Sequence, residues 1–97
     1  MMRGGRRTRH ALLTVVARRT DAPTLIGFAV SRRAGGAVVR NRLKRQLRMI
    51  IQALSWQPGF DVVIVPQPAC ASARFDEISA VTASLGAKMG LLMGDNS

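Results

Sequence analysis

The chain is short of nearly everything that builds a catalytic site. It holds one histidine, His10, one cysteine, Cys70, and five acidic residues. A lone cysteine forms no internal disulfide, and one His with one Cys makes no zinc cluster. It suits a reducing compartment and reads as a packed thiol. The acids Asp21, Asp61, Asp76, Glu77 and Asp95 are scattered along the sequence. A two-metal nuclease needs several carboxylates converging on ions about 4 Å apart, and this spread does not supply them. Asp76 and Glu77 are neighbours on a helical stretch and point different ways. Gly35-Gly36 lacks the Lys-Ser/Thr ending of a phosphate-binding loop.

Aromatic residues are also few. Tyrosine is absent, leaving Phe28, Trp56, Phe60 and Phe75. Phe28 and Phe75 fit core positions, so platforms for stacking bases are scarce. No apolar run approaches the roughly 20 residues that span a bilayer. The run Ala11 to Ala17 is followed at once by Arg18-Arg19 with no cleavage site, and reads as a strand of a cytoplasmic protein rather than a signal peptide.

What is present is positive charge. Lys and Arg number 15 in 97 residues, for a net charge of +10. The distribution is lopsided: thirteen basic residues and one acid through Gln57, two basic residues and four acids beyond it. A basic region joined to a near-neutral one marks a polyanion-binding surface on a supporting core. Length and an apolar content of 47% fit a single globular domain, 1–97, with a flexible tail over 90–97.

The order of elements follows from periodicity. A short edge strand is expected near Arg6 to Thr8, then strands over Ala11 to Ala17 and Leu25 to Ser31. The turn at Asp21-Ala-Pro23 reads as joining the last two into an antiparallel hairpin. A helix begins near Ala37 to Val39 and stops within Ser55 to Gly59. On it Val39, Leu43, Leu47, Ile50, Ile51 and Leu54 fall within an arc of about 120°. Asp61 to Val65 is an apolar strand closed by Pro66 and Pro68. Ser72 is expected to cap a second helix whose inner face is Phe75, Ile78, Val81, Thr82, Leu85 and Met89. The fold class is therefore α/β, an α+β two-layer sandwich of a small mixed sheet with helices in the order β-β-α-β-α.

The first helix carries the chemistry. Arg40, Lys44 and Arg48 are spaced i, i+4, i+8 and form a ridge about 12 Å long. Arg42, Arg45 and Asn41 fan out beside it, and Arg32 and Arg33 extend the patch from the preceding strand end. Arginine offers phosphate a planar fork of donors, and lysine a mobile point charge. Like charges at i, i+4 cost stability, so an acid-free face of this kind expects an anionic partner. Backbone charge and shape, rather than base edges, lead the binding.

The stretch Arg40-Asn-Arg-Leu-Lys-Arg-Gln-Leu-Arg48 resembles the RNR-x-KR-x-x-R helix of the bacterial ribonuclease P protein subunit. Gly27-Phe-Ala-Val-Ser-Arg-Arg33, leading into Ala37-Val-Val39, is similar to that family's strand ending and small loop. Asp61 to Ala69 resembles its D-hydrophobic-x-P strand end, and Gly4 or Gly5 with Arg6-Arg7 its RxGRR segment. The likeness runs in order over residues 4 to 89. It implies a left-handed β-α-β crossover around the RNR helix. It implies a protein without catalytic residues of its own, assisting a catalytic RNA that removes the 5′ leader from precursor tRNA. It implies Mg²⁺ held mainly by that RNA, with precursor tRNA as the second partner and no membrane or protein partner. The RNA-binding residues carried over are Arg40, Asn41, Arg42, Lys44, Arg45 and Arg48. The family's N-terminal helix, whose aromatic residues help line the leader cleft, has no counterpart in the sequence as read. A structural ribosome- or RNA-associated protein with a similar sandwich is the alternative, as is a truncated inactive relative.

Overall fold

The computed structural model describes residues 5–93. Four strands, Arg6–Arg9 (β1), Leu13–Arg19 (β2), Leu25–Phe28 (β3) and Phe60–Pro66 (β4), form one sheet in the order β1-β2-β4-β3. Two helices, Ala37–Ala53 (α1) and Phe75–Lys88 (α2), complete the mixed two-layer architecture. Short 3-10 turns, Arg32–Ala34 and Pro68–Ser72, precede α1 and α2 respectively.

Strand β4 takes the centre because its Phe-Asp-Val-Val-Ile-Val sequence is apolar enough to be paired on both edges. It runs antiparallel to β2 over the whole of Leu13 to Arg19, and parallel to β3. β3 and β4 are thus joined by a crossover through α1. The expected hairpin between β2 and β3 does not form: β4 lies between them. The connection passes over the start of β4 instead of closing a turn. Thr20 N–H donates to the Gly59 carbonyl at 2.9 Å. The Thr24 hydroxyl donates to the Gln57 carbonyl at 2.6 Å and accepts from Phe60 N–H at 3.1 Å.

Period-two alternation divides the sheet. Leu13, Val15 and Ala17 of β2 and Phe60, Val62 and Ile64 of β4 are buried on the helix side. There they join Leu43, Leu47 and Ile50 of α1 and Ile78 and Leu85 of α2. On the opposite face lie Arg7, Arg9, Thr14, Val16, Arg18, Asp61, Val63 and Val65, beside Leu25 and Gly27 of β3. Val63 and Leu25 on this open face are exposed.

Three local expectations change. Ser72 belongs to the second 3-10 turn, and α2 starts at Phe75 with Arg74 at its cap position. The Glu77 carboxylate there accepts from Arg74 N–H at 2.8 Å. Pro68 favours the tight turn that absorbs Ser72. Phe75 consequently stands at the first position of α2 and is exposed rather than in the core. The tail expected from Gly90 is packed at its start. Gly90 adopts φ +74, which turns the chain back so that Leu91 N–H donates to the Gly86 carbonyl at 2.8 Å. Leu91 is buried, and Leu92 bridges to Trp56. The remainder of the expected tail, 94–97, lies outside the described residues, as does Gly4.

Gly35 sets the entry to α1. Its φ is +147, and a Cβ there would stand 2.8 Å from Val39 Cγ1. Gly35→Ala is expected to cost about 1–3 kcal/mol of stability, from strained backbone and a forced shift of α1. Urea unfolding measures it; an unchanged midpoint would show that the turn accepts a side chain.

Candidate nucleic-acid interface

α1 is amphipathic in the sense its sequence requires. Leu43, Leu47 and Ile50 are buried, and Val39, Ile51 and Leu54 pack partly against the core. Asn41, Lys44, Arg45 and Arg48 are exposed. At 100° per residue those four fall within about 100° of one another, a single continuous cationic face. The ion pairs among the described residues are Arg18–Asp61 at 3.1 Å and Arg74–Asp76 at 3.5 Å. Both lie off α1, so among the described residues no carboxylate pairs with this face.

The two flanks of the helix differ. On the β3 side, the Arg48 guanidinium carbon lies 5.8 Å from the centroid of the Phe28 ring. A cation over an aromatic face is attracted and held in one place. Phe28, assigned to the core from its spacing, is half-buried and also forms this support. Arg40, on the same flank, is half-buried. On the opposite flank, Arg42 Nη2 donates to the carbonyl of Ala71 at 2.6 Å. The structure therefore gathers Asn41, Lys44, Arg45 and Arg48, with Arg40 at their edge, and turns Arg42 aside.

Arg32 and Arg33 are exposed on the 3-10 turn after β3, where the Ser31 hydroxyl accepts from Arg33 N–H at 3.3 Å. Arg33 leans over the open face of the sheet. It lines a shallow hollow with Arg7, Arg9, Thr14, Val16, Val65 and Gln67. Arg7 and Arg9 were missed as site residues. Their signal was the alternation Arg6-Arg7-Thr8-Arg9: in a strand, Arg7 and Arg9 share one side. Arg6 faces the other way, and its Nη2 donates to the Met89 carbonyl at the end of α2 at 2.6 Å. A second, more apolar hollow on the open face is lined by Val16, Leu25, Gly27 and Val63 and edged by the Arg18–Asp61 pair.

Cys70 is buried, and burial pushes its thiol pKa up, opposed by the nearby Arg42 charge. His10 is exposed on the surface, its Nδ1 accepting from Leu12 N–H at 3.0 Å. Among the described residues, no three His, Cys, Asp or Glu side chains come together as a metal site. No helix there is long and apolar enough to cross a membrane.

Fold and site define a class: a small α/β sandwich whose parallel crossover carries an acid-free basic helix. The sequence model of the Ribonuclease P family matches residues 1–90. The chain belongs to that family. It is 45% identical over 82 residues to the ribonuclease P protein component of Arthrobacter sp. (strain FB24), covering 81% of this chain and 58% of that one. It is 36% identical over 87 residues to that of Symbiobacterium thermophilum, covering 87% of this chain and 75% of the other. The chain thus spans little more than half the length of the first of these relatives. The RNase P protein from Thermotoga maritima superposes with a TM-score of 0.75 at 25% identity, over 84% of this chain and 80% of that one. A Staphylococcus aureus RNase P protein mutant shares the fold, with a TM-score of 0.82 at 19% identity over 91% of this chain and 77% of its own.

Proposed function

We propose that this chain is the protein partner of the catalytic RNA of ribonuclease P and assists removal of the 5′ leader from precursor tRNA in the cytoplasm. Family membership supports the reading, and the observation that carries it is the acid-free exposed face of α1. Lys44, Arg45 and Arg48, with Asn41 between them, bind phosphates of structured RNA. Each neutralised phosphate releases condensed counterions, which drives association. Arg32 and Arg33 continue this surface around the end of the sheet.

The single-stranded leader runs over the open face of the sheet. Arg7, Arg9 and Arg33 hold its phosphates, and the shallow apolar hollow at Val16, Gly27 and Val63 receives its sugars and bases. Hydrolysis belongs to the RNA, and Mg²⁺ is held there. The basic surface lowers the repulsion between two polyanions, so less Mg²⁺ is needed to bring them together.

The test is reconstitution with the catalytic RNA of a close relative. At low Mg²⁺ the folded protein is expected to stimulate cleavage of precursor tRNA, and the stimulation to shrink as Mg²⁺ rises. Binding to ribosomal RNA with no stimulation would favour the structural RNA-associated reading instead.

A further inference from the structure

Arg42 sits inside the basic motif but does not join its face. At 100° per residue it lies about 120° or more from Lys44 and Arg48 around the helix. Its side chain is half-buried, and Nη2 donates to the Ala71 carbonyl at 2.6 Å. A charged donor on a carbonyl is among the stronger hydrogen bonds. Ala71 belongs to the second 3-10 turn, Pro68–Ser72, whose Cys70 is wholly buried. That turn packs against the first, Arg32–Ala34, where Ala34 is buried. A continuous line of contact therefore runs from Arg42, through the second turn, to Arg32 and Arg33.

We infer that Arg42 is a positioning residue rather than a phosphate ligand: it ties α1 to the Pro68–Ser72 turn and so fixes Arg32 and Arg33 relative to the cationic face. The role assigned to Arg32 and Arg33 rests on the RNA-binding reading above; the tie itself does not. No backbone hydrogen bond joins the helix to the turn, so the Arg42 bond adds a directed polar link to their packing. Arginine reaches across that gap while its stem packs on the helix.

The first readout uses the free protein. Cys70, behind the tied turn, is reached by a thiol reagent only when the turn opens. Arg42→Met keeps the stem and removes the donor. Labelling of Cys70 by a soluble aromatic disulfide is expected to speed up by about tenfold or more, the factor implied by losing a charged hydrogen bond. Arg42→Lys, which keeps charge and a donor, is expected to stay within about threefold of the parent. The second readout is RNA binding with and without Arg33→Ala. Arg42→Met is expected to weaken binding several-fold in the parent and by less than about twofold once Arg33 is gone, because coupled residues are non-additive.

Unchanged Cys70 labelling in Arg42→Met overturns the tie. Equal loss of affinity in both backgrounds, with the salt slope reduced by about 0.7–0.9 in each, makes Arg42 a phosphate ligand. Should Arg42→Met not fold, Arg42→Gln, which removes the charge and shortens the reach, is read in both assays in its place. If the parent protein does not bind the catalytic RNA, the function proposed above fails, and with it the role of Arg32 and Arg33. The labelling result still decides the tie.

Discussion

Replacing Arg40, Lys44 and Arg48 together by alanine is expected to reduce the salt dependence of RNA binding by about 2.1–2.7 in the slope of log K against log salt. The estimate takes one phosphate per side chain and 0.7–0.9 released counterions per phosphate. The loss is expected to be nearly uniform across RNA sequences, because phosphate contacts carry no base information. The three positions lie one turn apart along α1, and Lys44 and Arg48 are exposed. None has a carboxylate partner among the described residues. Their removal therefore breaks no ion pair and relieves repulsion between like charges at i, i+4. The packing lost with them is the Arg48 contact on Phe28 and the half-buried side chain of Arg40. The expected result is a folded protein that binds RNA clearly more weakly, through the basic residues that remain. Filter-binding titrations from about 50 to 200 mM salt, beside urea unfolding, measure both quantities. An unchanged slope in a folded variant would remove the ridge from the interface.

Leu47→Ala is expected to act the opposite way. Leu47 is fully buried, in the cluster formed by the helices and the inner face of the sheet. Its truncation removes buried methyl groups and leaves a cavity that a tight core fills only in part, at a cost of about 2–5 kcal/mol. Domains of this kind have only about 5–15 kcal/mol in total, so a large share of the stability goes. RNA that binds only the folded state restores about 2.7 kcal/mol at a hundred times its Kd. The salt slope of the rescued protein is expected to match the parent, because no phosphate contact is touched. Urea unfolding with and without RNA checks this. A loss below about 1 kcal/mol would show that Leu47 does not join the two layers.

Much of the exposed basic face of α1 was legible in the sequence. The apolar residues of α1 repeat at helical spacing, and the helix carries its own start and stop signals in Gly35-Gly36 and Pro58-Gly59. Its exposed cations follow from that periodicity alone. The strand order was not legible in the same way. A short connection between two strand-like runs ordinarily closes a hairpin. Whether a later strand inserts between them depends on non-local pairing, which leaves no mark on either run. Arg42 shows the same limit within a motif. Its angle around the helix was available from its number, but the carbonyl waiting at that angle comes from a turn 29 positions away. Arg7 and Arg9 depended on the register of a four-residue edge strand. Gly90 read as the start of fraying because chain ends usually loosen; here its positive φ instead reverses the chain and returns Leu91 to the core.

The central place of β4 has a consequence for how the chain folds. Both β2 and β3 take β4 as a neighbour, and β4 ends at Pro66, two-thirds of the way along the chain. As the polypeptide leaves the ribosome, its strongly basic first half emerges before the strand that completes its sheet. Hairpin β1–β2 and a nascent α1 can form early, since their contacts are local. The core cannot close until Phe60 to Pro66 has paired with β2 and given β3 its neighbour. Until then the cationic stretch has no closed core to pack on and presents its charge without a fixed surface. The order of synthesis thus exposes charge before shape, and the strand that comes last of the four decides when charge becomes a surface.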